Sequence, residues 1–555
     1  MINRFLLFQG LMSTALLLLS AFVFAQNKSI DVTHYEFEIH VFEHTDEIKG
    51  TAQIYLTAVD SISSITLDLE ESNGDSINPK GMTVSQARWN TTPITWEQSG
   101  RQIHAHQSLA SRQNGILTLV YSGVPSDGLI IDKNKYGHRT FFSDHWPNRG
   151  SCYLPLNDHP MDKATSSFKI HAPSTYKVVS NGQLISAATL PKDASQTESN
   201  QQNWSANDQH PKLWEWHMPH QIPTKVMVFG VADFDTASYA AVDNVSLRGW
   251  VYPEDAEPGH REYAAASEIL DFFEKHIAPY PFDKLDQVQS KTIFGGMENA
   301  GCIFYHENST GGDGSSEDLI AHEIAHQWFG NTASETDWKH LWLSEGFATF
   351  FTGFYLEKKY GDEAFYTYMD AAQERLTQFA NRYPEVVVVP DSTPNLMALL
   401  NPYSYQKGGW VLQMLRTELG EDLFLEFIRA YFHKFAFANA STTDLITLLE
   451  SYSKKDLNPL MKHYLYHPAI PHIVWTHIDS GTVIAHLEGT DAPLQLSRVQ
   501  YEYHTEKDSE DVQVGDISIS TNPTVVLLPK NADICSLKWN TDRAYLLGPA
   551  EYYKP

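Results

Sequence analysis

Two histidines four positions apart, His322 and His326, flank Glu323 in the run HEIAH, and a further carboxylate, Glu345, follows 19 positions after His326 within Ser344-Glu345-Gly346. On a helix, imidazoles at that spacing lie on one face about one turn apart, the separation two ligands of a tetrahedral zinc ion require. Glu323 is then offset by roughly 100°, near enough to reach a water beside the metal and too far round to be a ligand itself. The chemistry this set suits is hydrolysis. His322, His326 and Glu345 leave a fourth zinc position open for a water of lowered pKa and a polarised carbonyl, and Glu323 takes the water proton and passes it to the leaving amine. The five-residue pattern also occurs by chance on solvated helical faces. Glu345 distinguishes this instance, because a carboxylate inside an apolar helix needs a partner such as a cation.

The surrounding residues predict the elements that hold these groups. Leu319, Ile320, Ile324, Trp328 and Phe329 form an apolar helical stripe, Ser315 and Asp318 have the spacing of a capping box, and Gly330-Asn331 reads as the stop. Leu341, Trp342, Phe347, Phe350, Phe351 and Phe354 predict a second helix around Glu345. Upstream, Tyr263, Ala266, Ile269, Leu270 and Phe273 predict another helix, residues 285–293 a strand, and Gly295-Gly296-Met297-Glu298-Asn299 a turn before the histidine helix. Helices are also expected over residues 362–383, 406–419, 422–435 and 443–452.

On either side the period changes to two. Tyr35, Phe37, Ile39 and Val41 alternate with polar residues, and similar runs recur at 65–69 and 116–121, predicting an antiparallel β domain that reaches residue 237 with a polar loop over 192–210. After Pro468 and Pro471, Val499, Tyr501 and Tyr503 alternate again and a run follows at 524–528, which fits a small β-sandwich. The expected chain is multidomain α+β: a signal peptide over 1–25, the N-terminal β domain over 26–237, a mainly helical zinc domain over 238–467 and the C-terminal β-sandwich over 468–555.

Composition excludes several classes. The 555 residues suffice for two to four domains with ample core, and 42% hydrophobic with 12% aromatic content is globular rather than disordered. A formal charge of -28 with no basic run argues against nucleic-acid partners. Arg4, the apolar stretch over residues 5–24 and Val23-Phe24-Ala25 before Gln26 read as an export signal, so the expected location is periplasmic or secreted, with no stable membrane partner after cleavage. An uncleaved anchor is the alternative. Cys152, Cys302 and Cys535 are too few and scattered for a disulfide framework and are expected to be buried free thiols, although one bridge remains open.

Four motifs together resemble the zinc aminopeptidases of the aminopeptidase N and leukotriene hydrolase family, gluzincins with a thermolysin-like catalytic domain. They are GGMEN (residues 295–299), HEIAHQWFGN (322–331), LWLSEGFA (341–348) and YQKG (405–408), in the family's order, and weaker similarity at WPNRG (146–150) and LNDHP (156–160) extends it over nearly all of the exported chain. The resemblance implies one zinc ion per chain on His322, His326 and Glu345, with Glu323 as base and Tyr405 as donor to the tetrahedral oxyanion. It also implies that Glu298 pairs with a free α-ammonium while Gly295, Gly296 and Met297 lie along the substrate as an edge strand would. Read by itself, Tyr405 would be an ordinary core tyrosine and GGMEN a tight turn followed by an incidental acid.

Two departures from the family pattern shape the expectation. Where many members carry a Gln that helps to hold the amine, the aligned residue is Asp144, which adds an anion and would strengthen ammonium binding. Many members also end in a large helical domain over the active site, whereas this sequence is a short form that stops after the small β domain. The cleft is therefore expected to be more open, or closed by another subunit through oligomerisation, and epoxide hydrolysis is disfavoured. The function expected is removal of N-terminal residues from peptides with a free N-terminus. The alternatives are a thermolysin-type endopeptidase and an inactive exported peptide-binding protein.

Overall fold

A computed structural model describes residues 29–189, 211–507 and 509–554. The expected export signal and the polar loop over 192–210 lie outside the described residues. The first period-two region forms an eight-stranded sheet from β1 (Ile30–His40), β2 (Ile48–Ala58), β3 (Gly81–Trp89), β4 (Thr92–Pro93), β5 (Asn114–Val124), β6 (Lys163–Ala172), β7 (Gln183–Thr189) and β8 (Lys212–Pro223). Their order is β7-β8-β6-β1-β2-β5-β3-β4. Tyr35, Phe37 and Ile39 point into the core while Glu36 and Glu38 between them stay partly exposed, as the pleat dictates. The antiparallel sheet expected from the sequence is corrected in one place: β1 and β6 pair in parallel, His34 opposite Thr165 and Ile39 opposite Ile170. Strands so far apart in the chain are not joined by a hairpin, so alternation alone does not fix their direction.

The middle of the chain builds a five-stranded sheet from β9 (Asp235–Ser238), β10 (Ser246–Val251), β11 (Lys284–Ser290), β12 (Gly296–Met297) and β13 (Cys302–His306), in the order β9-β10-β11-β13-β12. The short β12 runs antiparallel to β13, with Gly296 opposite Tyr305 and Met297 opposite Phe304, and forms the edge of this sheet. Among the described residues nine helices form: α1 (Ala256–Tyr263), α2 (Ala266–His276), α3 (Glu317–Ala325), α4 (Trp342–Tyr360), α5 (Asp362–Arg382), α6 (Gly408–Leu419), α7 (Glu421–Phe435), α8 (Thr442–Tyr452) and α9 (Asn458–Tyr466), of which α2 to α8 fall where the sequence pattern predicts them and α1 and α9 do not. Residues 342–355 of α4 are buried on every side, which makes it the central helix against which α3, α5 and α6 pack.

The start of α3 departs from the sequence expectation. No capping box forms at Ser315, and the helix begins at Glu317 with no side-chain cap on Ser316. Instead Glu262 of α1 accepts hydrogen bonds from the backbone N–H groups of Gly314 (3.0 Å) and Ser316 (2.7 Å). A tertiary carboxylate thus ties down the loop leading into the helix, which a local pattern cannot reveal.

Buried contacts join the β domain to the helices just beyond α3. Lys225 Nζ lies 2.6 Å from Glu335 Oε1 with both side chains at most 1% exposed. Lys163 Nζ donates to the carbonyls of Thr332 (2.5 Å) and Ala438 (2.7 Å). The last segment forms two sheets, one of four strands and one of three, the first including His472–Asp479 and the second Gln495–His504. Cys152 and Cys302 are buried and Cys535 is exposed, all three as free thiols, so the expectation of burial fails for Cys535. Among the described residues no helix is long and apolar enough to cross a membrane.

Candidate metal centre and its cavity

His322 and Glu323 lie in the last turns of α3, His326 caps the helix and Glu345 sits in the first turn of α4. Packing α3 on α4 closes a triangle of donors. His322 Nε2 is 3.2 Å from His326 Nε2 and 3.3 Å from Glu345 Oε2, and His326 Nε2 is 3.2 Å from Glu345 Oε2. Ligands about 2.0–2.1 Å from a tetrahedral zinc ion are separated by about 3.3 Å, so two imidazoles and a carboxylate placed this way fit the ion without rearrangement. His326 Nδ1 donates to the Phe329 carbonyl (3.1 Å), with the Ser344 hydroxyl 3.0 Å away, so its Nε2 lone pair faces the centre of the triangle.

The electrostatics of the cluster also call for a cation. Burial works against ionisation of Glu345, yet His326 and His322 hold its pKa well below the carboxylate range. Burial works against protonation of His326, yet Glu345 and Glu298 raise its pKa to about 9. Burial pushes Glu323 well above its ordinary value, reinforced by Glu298 and Glu345 and opposed by His326. Three carboxylates in one buried volume, with donor atoms of Glu298, Glu323 and His326 all within 4.8 Å of one another, are short of positive charge.

A cavity of about 420 Å3 opens over this cluster, and Gly295, Gly296, Met297 and Glu298 form one of its walls. The Gly296 backbone lies almost in contact with Glu323, since a β-carbon there would fall 2.4 Å from Glu323 Oε1. Beyond Gly296, the Glu298 carbonyl accepts from Gln327 Nε2 (2.9 Å) and Asn331 Nδ2 (2.6 Å), so the segment that follows α3 fixes the Glu298 backbone. Oε1 of Glu298 is buried and has no hydrogen-bond partner among the described residues, which makes it an acceptor available to a ligand. Tyr405 lines the same cavity. Its ring stacks on His322 with centroids 6.0 Å apart and planes within 11°. Burial raises its pKa well above 10, with Glu345 and Glu298 adding to the effect, so the phenol keeps its proton and can donate.

Asp144 does not join this constellation. It is fully buried and absent from the cavity wall; Oδ1 accepts from Arg149 Nη2 (2.6 Å), and Oδ2 from Ile293 N (3.1 Å) and Thr292 Oγ1 (3.3 Å). Its carboxylate therefore anchors the strand end that leads into Gly295, and the ammonium-binding expectation for Asp144 does not fit its position. The residue two places on, Trp146, lines the cavity instead, edge-on to Phe294 at 6.2 Å, with Leu400 and Pro402 completing an apolar wall. Sequence reasoning assigned no role to these residues or to Gln327 and Asn331. For Trp146, Gln327 and Asn331 the signal available was their place inside runs already singled out, 146–150 and 322–331; Phe294, Leu400 and Pro402 lie in no such run.

Residues 261–464 match the Peptidase family M1 domain and residues 31–206 the Peptidase M1 N-terminal domain. Aminopeptidase N of Oryctolagus cuniculus is 31% identical over 313 residues, 53% of this chain and 31% of that protein. Glutamyl aminopeptidase of Sus scrofa is 27% identical over 477 residues, 78% of this chain and 47% of that protein. The chain thus spans less than half of the length of these curated relatives. Among solved structures, an M1 zinc metallopeptidase from Deinococcus radiodurans superposes with a TM-score of 0.65 at 21% identity, covering 79% of this chain and 95% of the other. A second structure of that protein, bound to a Tyr-Ser-Ala substrate, gives 0.63 at 22% identity over 79% and 94%.

Proposed function

Since the chain belongs to peptidase family M1, we propose that it is a zinc-dependent aminopeptidase that removes N-terminal residues from peptides. The observation that carries this reading is the unpartnered, buried Oε1 of Glu298 in the same cavity as the His322, His326 and Glu345 donor triangle. A carboxylate so placed holds an α-ammonium and brings the first peptide bond, rather than an internal one, over the metal ligands.

Zinc, when bound by His322, His326 and Glu345, supplies Lewis-acid polarisation of the scissile carbonyl and a water of lowered pKa. The remaining steps belong to the chain. Glu323 accepts the proton of the attacking water and transfers it to the departing amine nitrogen. The Tyr405 phenol donates to the oxyanion as it develops, a contribution typically worth a factor of about 10² to 10³ in rate. Edge strand β12 offers its free side to the substrate backbone, which keeps the peptide extended between Glu298 and Glu323.

Matched aminoacyl amides with free and N-acetylated amines test the reading. Hydrolysis of the free amine alone, abolished by metal chelation and restored by zinc, is expected. Equal turnover of both would contradict the role of Glu298, and turnover without metal would contradict the mechanism. The proposal extends to an exported protein on the strength of the apolar segment over residues 5–24, which N-terminal sequencing of the protein recovered from its cells would test.

A further inference from the structure

Tyr405 stands at the middle of an unusual piece of backbone. Tyr403–Lys407 is wound as a single π-turn, with Lys407 N–H donating to the Pro402 carbonyl at 2.9 Å, before the regular helix α6 begins at Gly408. Such turns place side chains where an α-helix would not and are frequent at functional sites. Holding one in a fixed form requires contacts beyond its own hydrogen bonds.

Those contacts come from the residues two places on either side of Tyr405. The Tyr403 hydroxyl donates to the Pro468 carbonyl (3.0 Å), and Lys407 Nζ donates to the carbonyls of His467 (2.8 Å) and Pro468 (3.3 Å). Both side chains are completely buried, and the Lys407 ammonium lies 4.5 Å over the Tyr403 ring. Lys407 forms no ion pair among the described residues, and burial draws its pKa down to about 7. A buried lysine directed at two backbone carbonyls is a costly arrangement for an ordinary core position, where an apolar residue would pack more cheaply.

The opposite side of the turn is equally constrained. Gly408 meets Gly346 of α4 so closely that a β-carbon on Gly346 would fall 2.8 Å from Gly408 Cα. Gly346 is the neighbour of the metal ligand Glu345. The turn is therefore held between the helix that supplies a ligand and the His467-Pro468 junction, where the helices give way to the C-terminal sheets.

We propose that Lys407 and Tyr403 are positioning residues that set the Tyr405 hydroxyl over the reacting carbonyl by tying its π-turn to the His467-Pro468 junction. This rests on reading Tyr405 as the oxyanion donor, and it makes the start of the C-terminal β region part of the catalytic frame.

The test is a double-mutant cycle on the zinc-loaded protein with a free-amine aminoacyl amide. Lys407→Met is expected to lower kcat about tenfold or more, with KM within twofold and one zinc per chain, because a displacement of about 1 Å in a catalytic group can cost on the order of 10²-fold. In a Tyr405→Phe background the same substitution should cost less than about threefold, since the group it positions is already gone. Equal losses in both backgrounds, a change carried by KM, or no loss would overturn the proposal. If Lys407→Met does not yield folded protein, Tyr403→Phe, which removes only the hydroxyl bonded to Pro468, is judged by the same outcomes. If Tyr405→Phe itself leaves kcat intact, the oxyanion reading fails and this proposal falls with it, whereas a loss in Tyr405→Phe with equal Lys407→Met losses in both backgrounds overturns the positioning role alone.

Discussion

Gly296 lies against Glu323 so closely that any added side chain must displace that carboxylate, a β-carbon being 2.4 Å from its Oε1 and 2.6 Å from its Cδ. Edge strand and Glu323 are thus in van der Waals register. At Gly295 the nearest heavy atom to an added β-carbon is Leu319 Cδ1 at 3.7 Å, ordinary contact. Gly296→Ala should therefore lower kcat by about tenfold or more by displacing Glu323, while Gly295→Ala should stay within about threefold of the parent. Steady-state kinetics of both variants check this, and similar losses at the two positions would rule out the contact as the cause.

Metal retention separates the two acidic residues of the centre. Glu323→Gln should keep one zinc per chain by elemental analysis and lose about 10² to 10⁴ in kcat, the range for removing a general base. Glu345→Ala should lose the metal as well as the activity. Normal zinc content in Glu345→Ala would show that the third ligand is misassigned.

On the proposed reading, the unpartnered oxygen of Glu298 sets the end-specificity. Glu298→Gln keeps the shape but removes the charge, so kcat/KM for free-amine substrates should fall about 10- to 100-fold, the worth of a charge-assisted hydrogen bond. Residual turnover of N-acetylated substrates should not fall in parallel. A uniform loss on both would mean that Glu298 serves the structure and not the amine.

The wall made by Trp146, Phe294, Leu400 and Pro402 carries no charge. A panel of fluorogenic aminoacyl amides should accordingly favour bulky apolar and aromatic N-terminal residues over aspartyl and glutamyl ones, because an acidic side chain would lose its hydration there without gaining a cation. Trp146→Ala should erode the aromatic preference selectively. An acidic preference in the parent protein would refute the assignment of this wall to the substrate side chain.

Lys225 and Glu335 form an ion pair shut away from water between the β domain and the helices. Glu335→Gln leaves the lysine charge uncompensated and should cost about 3–5 kcal/mol, read as a lowered melting temperature. Replacing both partners, Lys225→Met with Glu335→Leu, should recover part of the loss. Thermal scans of the three variants decide the matter.

The convergence of His322, His326 and Glu345 is legible in the sequence because one helical period sets the histidine spacing and a second apolar helix presents Glu345 to them. What is not legible depends on contacts between distant strands. The placement of Glu298 follows from the order β11-β13-β12 and from Gln327 and Asn331 gripping its carbonyl. Asp144 shows the same limit from the other side: its residue type suits an ammonium, but only the fold reveals Arg149 and Ile293 already engaging it. The parallel pairing of β1 with β6 and the capping of the α3 loop by Glu262 are likewise tertiary facts, absent from any local pattern.

That first pairing has a consequence for how the front of the chain can be handled. Strand β1 is flanked by β6 on one side and β2 on the other, so the earliest strand among the described residues is an interior stave and not a rim. Deleting it would unseat both neighbours together and bare two rows of backbone donors and acceptors. Any tag or truncation that keeps this sheet intact must therefore stop short of Ile30.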